Sequence, residues 1–305
     1  MRGDKEAKCF DRIKKALFYL NEKPICNPFD GQSCFDVDTA TFMENYLFYC
    51  NPDFKQNCFG LLESDWVEFT NTIRMAGANP SKSEFPDFIF DNGFIEHFQI
   101  TSSHITRKGA THAREESEFK RRVDDDVEKL KKEWNETPSF SKVRSESWEF
   151  QNPVHSYEFL VESFKQNWEN HIQSSKRYSK NKKIGIFMIE YPEIALAMCE
   201  NVYCDWIDGM AQGDMRQQET FKEYRLSRDK ELLKYIYGFK NVIKYVVYVN
   251  SIRCEVICTE NIPYLQKLLP WEYIIYPMHV STMSTLSNIT IPVSFTEGNE
   301  KSVQI

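Results

Sequence analysis

The chain has 305 residues, of which 41% are hydrophobic and 14% aromatic, with a net charge of −7 and nine cysteines. Such apolar content supports a sizeable core and excludes a disordered chain. The acidic balance argues against a protein that coats nucleic acid through its overall charge, though a local basic groove stays compatible with it. No run of about eighteen apolar residues exists, so no transmembrane helix and no membrane partner are expected. The first twenty residues carry charges throughout and form no secretory signal, which points to a cytoplasmic protein. None of the cysteines has CxxC spacing, so buried free thiols are expected, with a structural zinc as the minor reading.

In chain order, residues 4–20 read as an amphipathic helix with Phe10, Ile13, Leu17 and Leu20 on one face. Residues 21–36, with Pro24, Pro28 and Gly31, read as connection, and Asp38–Tyr49 as a second helix ending before Asn51-Pro52. These make a helical N-terminal piece over 1–60, ahead of an α/β domain over 61–285 and a flexible tail over 286–305. Glu63–Ala76 is a helix with Ser64 as its expected N-cap. Phe85–Phe90 and Phe94–Thr101 then flank Asp91-Asn92-Gly93, and Asn-Gly reads as the positive-φ turn of a tight hairpin. In register, Asp87 and Glu96 lie close together on the two strands, and such a carboxylate pair suits a hard divalent cation.

Pro86-Asp87, eight residues, then Glu96 resembles the PD-(D/E)XK nuclease superfamily, in which a Pro-Asp strand start is followed by Glu or Asp, a spacer and Lys on the next strand. The resemblance covers at most Glu63 to Tyr191. It implies a restriction-endonuclease-like core, Mg²⁺ or Mn²⁺ held by Asp87 and Glu96, and a nucleic-acid substrate, DNA ahead of RNA. It also implies a role in restriction or phage defence, as a homodimer or within a larger complex. The position of the motif Lys holds Phe98, and Gln99 is the nearest polar residue. Gln99 points to the other face of a regular strand, so a β-bulge is needed to bring it round. Some members carry Gln for Lys, and in others the essential group sits on a nearby helix, for which Lys165 is the candidate here. A helix before the catalytic strands often contributes a Glu near the metal, which makes Glu68, ahead of Glu63, a further candidate. Read alone, either one is a surface carboxylate.

Ser102–Thr111 is a polar loop in which Arg107 and Lys108 either contact a phosphate backbone or face solvent. His97, His104 and His112 follow no ligand spacing and read as packing or solvent-facing groups. Arg114–Trp134 is a long charged helix with acid-first pairs four apart and a narrow apolar seam. Residues 135–153 read as a connecting loop, and Ser156–Tyr178 as a helix with Phe159, Leu160, Phe164, Trp168 and Ile172 as its stripe. Between Lys165 and Lys183 stand six Lys or Arg against the single acid Glu169. Lys176, Arg177, Lys182 and Lys183 are the candidates for backbone contact, against a solubilising patch. Ile184–Ile189 follows as a strand, then a helix around Ile194–Asn201, a helix over Leu226–Tyr237, a second hairpin (Asn241–Val249, Ile252–Thr259) and a short helix over Asn261–Leu269. Trp271–Tyr276 reads as a last strand, and the final twenty residues are expected to fray. Phosphate-loop, dinucleotide and nucleophile-elbow signatures are missing from the sequence. The expected fold is α/β, a mixed central sheet flanked by helices. The expected function is metal-dependent nucleic-acid hydrolysis with Gln99 or Lys165 assisting. The alternatives are a non-catalytic binding module for nucleic acid or protein on the same fold, and a chance match of the two acids.

Overall fold

The structure is a computed structural model and describes residues 3–18, 58–81, 84–106, 109–136, 142–180, 182–200, 220–251, 253–268, 273–278, 281–294 and 300–304. The expected helix at Asp38–Tyr49 lies outside these residues. Two compact units are present, one from Met1–Ser102 with Ser156–Met278 and one from Ser103–His155 with His279–Ile305.

The first unit is a helix–sheet–helix sandwich of mixed α/β class. Helix α1 (Asp4–Phe18) is followed by β1 (Cys58–Phe59), α2 (Glu63–Met75), β2 (Gly77–Ala78), β3 (Phe88–Phe90) and β4 (Gly93–Gln99). Helix α2 starts one residue before the expected cap. Leu62 occupies the N-cap position, and its amide donates to Asp65 Oδ2 at 3.0 Å, so Ser64 does not cap. The second unit comes next in sequence, and it is built from β5 (Ile105–Thr106), β6 (Gly109–Ala110), α3 (Thr111–Glu136) and β7 (Lys142–Gln151). The chain returns to the first unit with α4 (Tyr157–Arg177), β8 (Ile184–Tyr191), β9 (Leu196–Glu200), β10 (Thr220–Phe221), α5 (Lys230–Tyr237), β11 (Tyr245–Asn250), β12 (Cys254–Cys258), α6 (Ile262–Leu268) and β13 (Tyr273–Pro277). Strands β14 (Ser281–Ser294) and β15 (Glu300–Gln304) complete the second unit.

The seven-stranded sheet runs β1-β12-β11-β8-β4-β3-β2. Strands β4, β8 and β11 are mutually parallel, whereas β2, β3 and β4 form an antiparallel meander. Side chains alternate across each strand, so the sheet builds two cores. Phe94, Phe187, Ile189 and Val246 pack under Leu160, Phe164 and Trp168 of α4. Ile95, Ile186, Met188 and Val247 pack on the other face under Phe10 and Ile13 of α1 and Phe69 and Ile73 of α2. The stripe Cys9–Ile13–Leu17 thus buries α1 against the sheet.

The β3–β4 hairpin forms, but not through a positive-φ Asn-Gly turn. Phe90 pairs with Gly93, the loop is Asp91 and Asn92, and neither these residues nor Gly93 have positive φ. Gly93 is required for a different reason: a Cβ there would stand 1.8 Å from the Ile184 carbonyl oxygen, in the strand that pairs beside it. Gly93→Ala is therefore expected to destabilise the protein by at least about 3 kcal/mol in urea denaturation, through a backbone clash that no rotamer relieves. A loss below about 1 kcal/mol would mean that β8 shifts freely.

Three other expectations change. Within Ile194–Asn201, expected as helix, Leu196–Glu200 is the strand β9, held between β10 and β13. Leu226–Tyr237 is a short 3₁₀ turn and then α5, with buried Asp229 as N-cap accepting from the Leu232 amide at 2.9 Å. In the second unit, the expected loop at 135–153 contains β7, and the residues expected to fray, 286–305, include the greater part of β14 and all of β15. Strand β14 pairs with β7 over ten residues, Ser281 opposite Gln151 through Thr290 opposite Lys142, and with β15 on its other side. Phe119 and Val123 of α3 bury against Phe150 of β7. Among the described residues no helix is long and apolar enough to cross a membrane.

Candidate functional site

The meander register sets the site. Phe88 lies opposite Ile95 and Ile89 opposite Phe94, which puts Asp87, just before β3, across from Glu96. The two residues bracket each other: the Asp87 amide donates to Glu96 Oε2 at 3.0 Å, and the His97 amide donates to Asp87 Oδ2 at 2.8 Å. Glu96 is buried, and burial together with the Glu96 charge raises the Asp87 carboxyl from 3.8 to about 6. Two acids share one poorly solvated corner, which favours either a proton or a cation between them.

Helix α4 supplies a third group. His171 Nδ1 sits 2.7 Å from Glu96 Oε1, and its ring stacks on Phe98 with centroids 4.8 Å apart and an interplanar angle of 10°. Phe98, at the position of the motif Lys, is buried and meets Phe187 edge-on. Among the described residues, the imidazole of His171 is thus the basic group that contacts Glu96 from α4.

The opposite face of β4 carries a second polar group. The β4–β8 register runs unbroken from Gly93 to Gln99 and contains no bulge, so His97 and Gln99 point away from Glu96. Glu190 of β8, paired with Gln99, accepts from Gln99 Nε2 at 2.7 Å and lies 3.1 Å from His97 Nε2. Burial raises the Glu190 carboxyl, but the His97 and Gln99 hydrogen bonds outweigh it and hold the group below its ordinary value. Cys9 of α1 reaches the same place, with one potential ligand atom each of Cys9, His97 and Glu190 within 4.8 Å of one another. Lys5 Nζ donates to Gln99 Oε1 at 3.4 Å. Burial, then the Glu190 charge, pushes the Cys9 thiol far above its ordinary value.

The remaining sequence candidates fall elsewhere. Glu68 is bound by Lys244 and accepts from the Tyr245 hydroxyl at 2.7 Å. Lys165 pairs with Glu231 at 2.9 Å and lies over the Tyr235 ring. Lys176 and Arg177 are exposed in the last turn of α4. Lys182 donates to the Ser175 and Lys176 carbonyls and so closes that helix end, and Lys183 is exposed beside it. Arg107 and Lys108 lie outside the described residues.

Sequence reading missed His171, Glu190 and the role of Cys9. Each had a signal. His171 continues the buried stripe Phe164–Trp168 at helical spacing, Glu190 is the one charged residue in an otherwise apolar strand, and Cys9 starts the stripe continued by Ile13 and Leu17. Comparison of the chain with family models, curated proteins and solved structures finds no match.

Proposed function

We propose that the protein is a metal-dependent nuclease, hydrolysing phosphodiester bonds of nucleic acid, DNA ahead of RNA, at the Asp87–Glu96 corner. The observation that carries this reading is the pair of opposed carboxylates, Glu96 buried and Asp87 half-buried, with Asp87 raised to about 6 by burial and by Glu96. Excess negative charge and oxygen donors fit Mg²⁺ or Mn²⁺. Bound there, such an ion supplies Lewis acidity toward the scissile phosphate and lowers the pKa of the attacking water. Asp87 and Glu96 hold the ion. His171 orients Glu96 through its 2.7 Å contact and, where the motif Lys would act, exchanges a proton with the reacting water. Exposed Lys176, Arg177 and Lys183 at the end of α4 contact the phosphate backbone. The element order within the first unit, with Ser103–His155 of the second unit inserted in sequence between the meander and α4, supports the PD-(D/E)XK reading: α2, the meander with Glu96 on it and Asp87 just before β3, α4, a basic turn and the apolar strand β8.

A second reading, a non-catalytic binding module on the same core, is favoured by Phe98, whose buried ring fills the place of the Lys. A cleavage assay separates the two. Protein is incubated with plasmid, linear duplex, single-stranded DNA and RNA in Mg²⁺, Mn²⁺ or EDTA, beside an Asp87→Ala/Glu96→Ala variant. Cleavage that requires the metal and vanishes in the variant is expected. Salt-sensitive binding without cleavage would establish the binding module, and cleavage surviving in the variant would move the activity away from this corner.

A further inference from the structure

We propose that Cys9, His97 and Glu190 form a zinc-binding site that pins α1 to β4 and β8. The site is separate from the Asp87–Glu96 corner and does not depend on the nuclease reading. Glu96 and His97 are neighbours on β4, so their side chains leave the sheet on opposite faces, one toward α4 and the other toward α1.

The donor set carries the argument. A thiol, an imidazole and a carboxylate converge from three elements far apart in sequence, and their ligand atoms lie within 4.8 Å of one another. Tetrahedral zinc with bonds of about 2.0–2.3 Å sets ligand separations of roughly 3.3–3.6 Å. His97 Nε2 and Glu190 Oε2 are already 3.1 Å apart, so only the Cys9 sulfur has to draw in by about an ångström or less. Sulfur and nitrogen donors select zinc over Mg²⁺, which prefers oxygen alone. The outer shell is also built: Gln99 Nε2 donates to the Glu190 oxygen that faces His97, and Lys5 Nζ donates in turn to Gln99 Oε1. Cys9 and His97 are buried and Glu190 is mostly so, which suits a site that fastens a helix and leaves one coordination position for water. On binding, the Cys9 thiol proton is released to solvent. Thiolate and carboxylate together then neutralise the Zn²⁺ charge.

The test uses the full chain stripped of metal and titrated with Co²⁺ and with Zn²⁺. Expected are a stoichiometry of one and a thiolate-to-cobalt charge-transfer band, which an all-oxygen site cannot produce. Zinc should bleach the band and raise the melting temperature. Cys9→Ala should abolish the band. Glu190→Gln, which keeps the size and a hydrogen-bonding group, should weaken cobalt by more than the roughly 100-fold that outer-shell changes cause. Asp87→Asn should leave the band intact, which separates this site from the carboxylate corner. The proposal is overturned if the wild-type chain gives no thiolate band, or if the band persists in Cys9→Ala and another cysteine supplies the sulfur.

Discussion

Asp87→Asn is expected to make the protein more stable at pH 7.5 in EDTA and at the same time to abolish metal-dependent cleavage. In the folded chain the Asp87 carboxyl titrates at about 6 instead of 3.8, because burial and then the Glu96 charge disfavour its ionised form. The native state therefore keeps a proton that the unfolded chain has already lost. The resulting stabilisation is present in full below the unfolded value and disappears as pH rises through about 6. At neutral pH the ionised Asp87 costs on the order of 2–3 kcal/mol relative to a neutral isostere. Asparagine keeps an oxygen for the His97 amide and carries no charge against Glu96. Urea denaturation from pH 4 to 8 should show the two proteins converging near pH 4 and Asp87→Asn leading above pH 6. Adding Mg²⁺ should reverse the order, since an ion at about 1,000 times its dissociation constant stabilises wild type by about 4.1 kcal/mol and has no carboxylate pair to bind in the variant. A variant no more stable than wild type at pH 7.5 would mean that the two acids are not held in mutual repulsion.

His171→Ala should lower the cleavage rate by roughly 10²- to 10⁴-fold, the range for loss of a positioned acid–base group. The imidazole is only partly enclosed, with a side-chain exposure of 25%, so the deletion leaves a solvent-open gap beside Glu96 and should not unfold the chain. Added imidazole should restore part of the rate in His171→Ala, falling on kcat with little change in KM, because the proposed function assigns substrate binding to the basic residues at the end of α4. His171→Gln keeps a hydrogen bond to Glu96 but cannot pass a proton on, so it should remain slow. A fast His171→Gln would reduce His171 to a positioning residue that only orients the carboxylate.

How much of this was legible in the sequence follows sequence separation. The facing of Asp87 and Glu96 depends only on a short hairpin and strand alternation, so residues nine apart could be paired by inspection. The helix periods of α1, α2, α3 and α4 were legible for the same reason, since each records burial of one face. Turn chemistry misled at Asn92-Gly93, where close approach to Ile184, and not backbone φ, demands glycine. Polar strands such as β7 and β14 resemble loops in composition. Their partners stand about 140 residues away, as Ser145 and Ser287 do. β9 reads as helical until β10 and β13 supply its ladder.

The sequence by itself determined the α/β class, the buried stripes and the opposed carboxylates, because these follow from local periods and a short hairpin. Tertiary structure alone decided what surrounds them. His171 reaches Glu96 across 75 residues and Glu190 reaches His97 across 93, on faces of β4 that no local pattern connects to α4, β8 or α1. Parallel pairing of β4 with β8 brings those elements together, and a parallel neighbour reached through a crossover leaves no short-range mark in the chain.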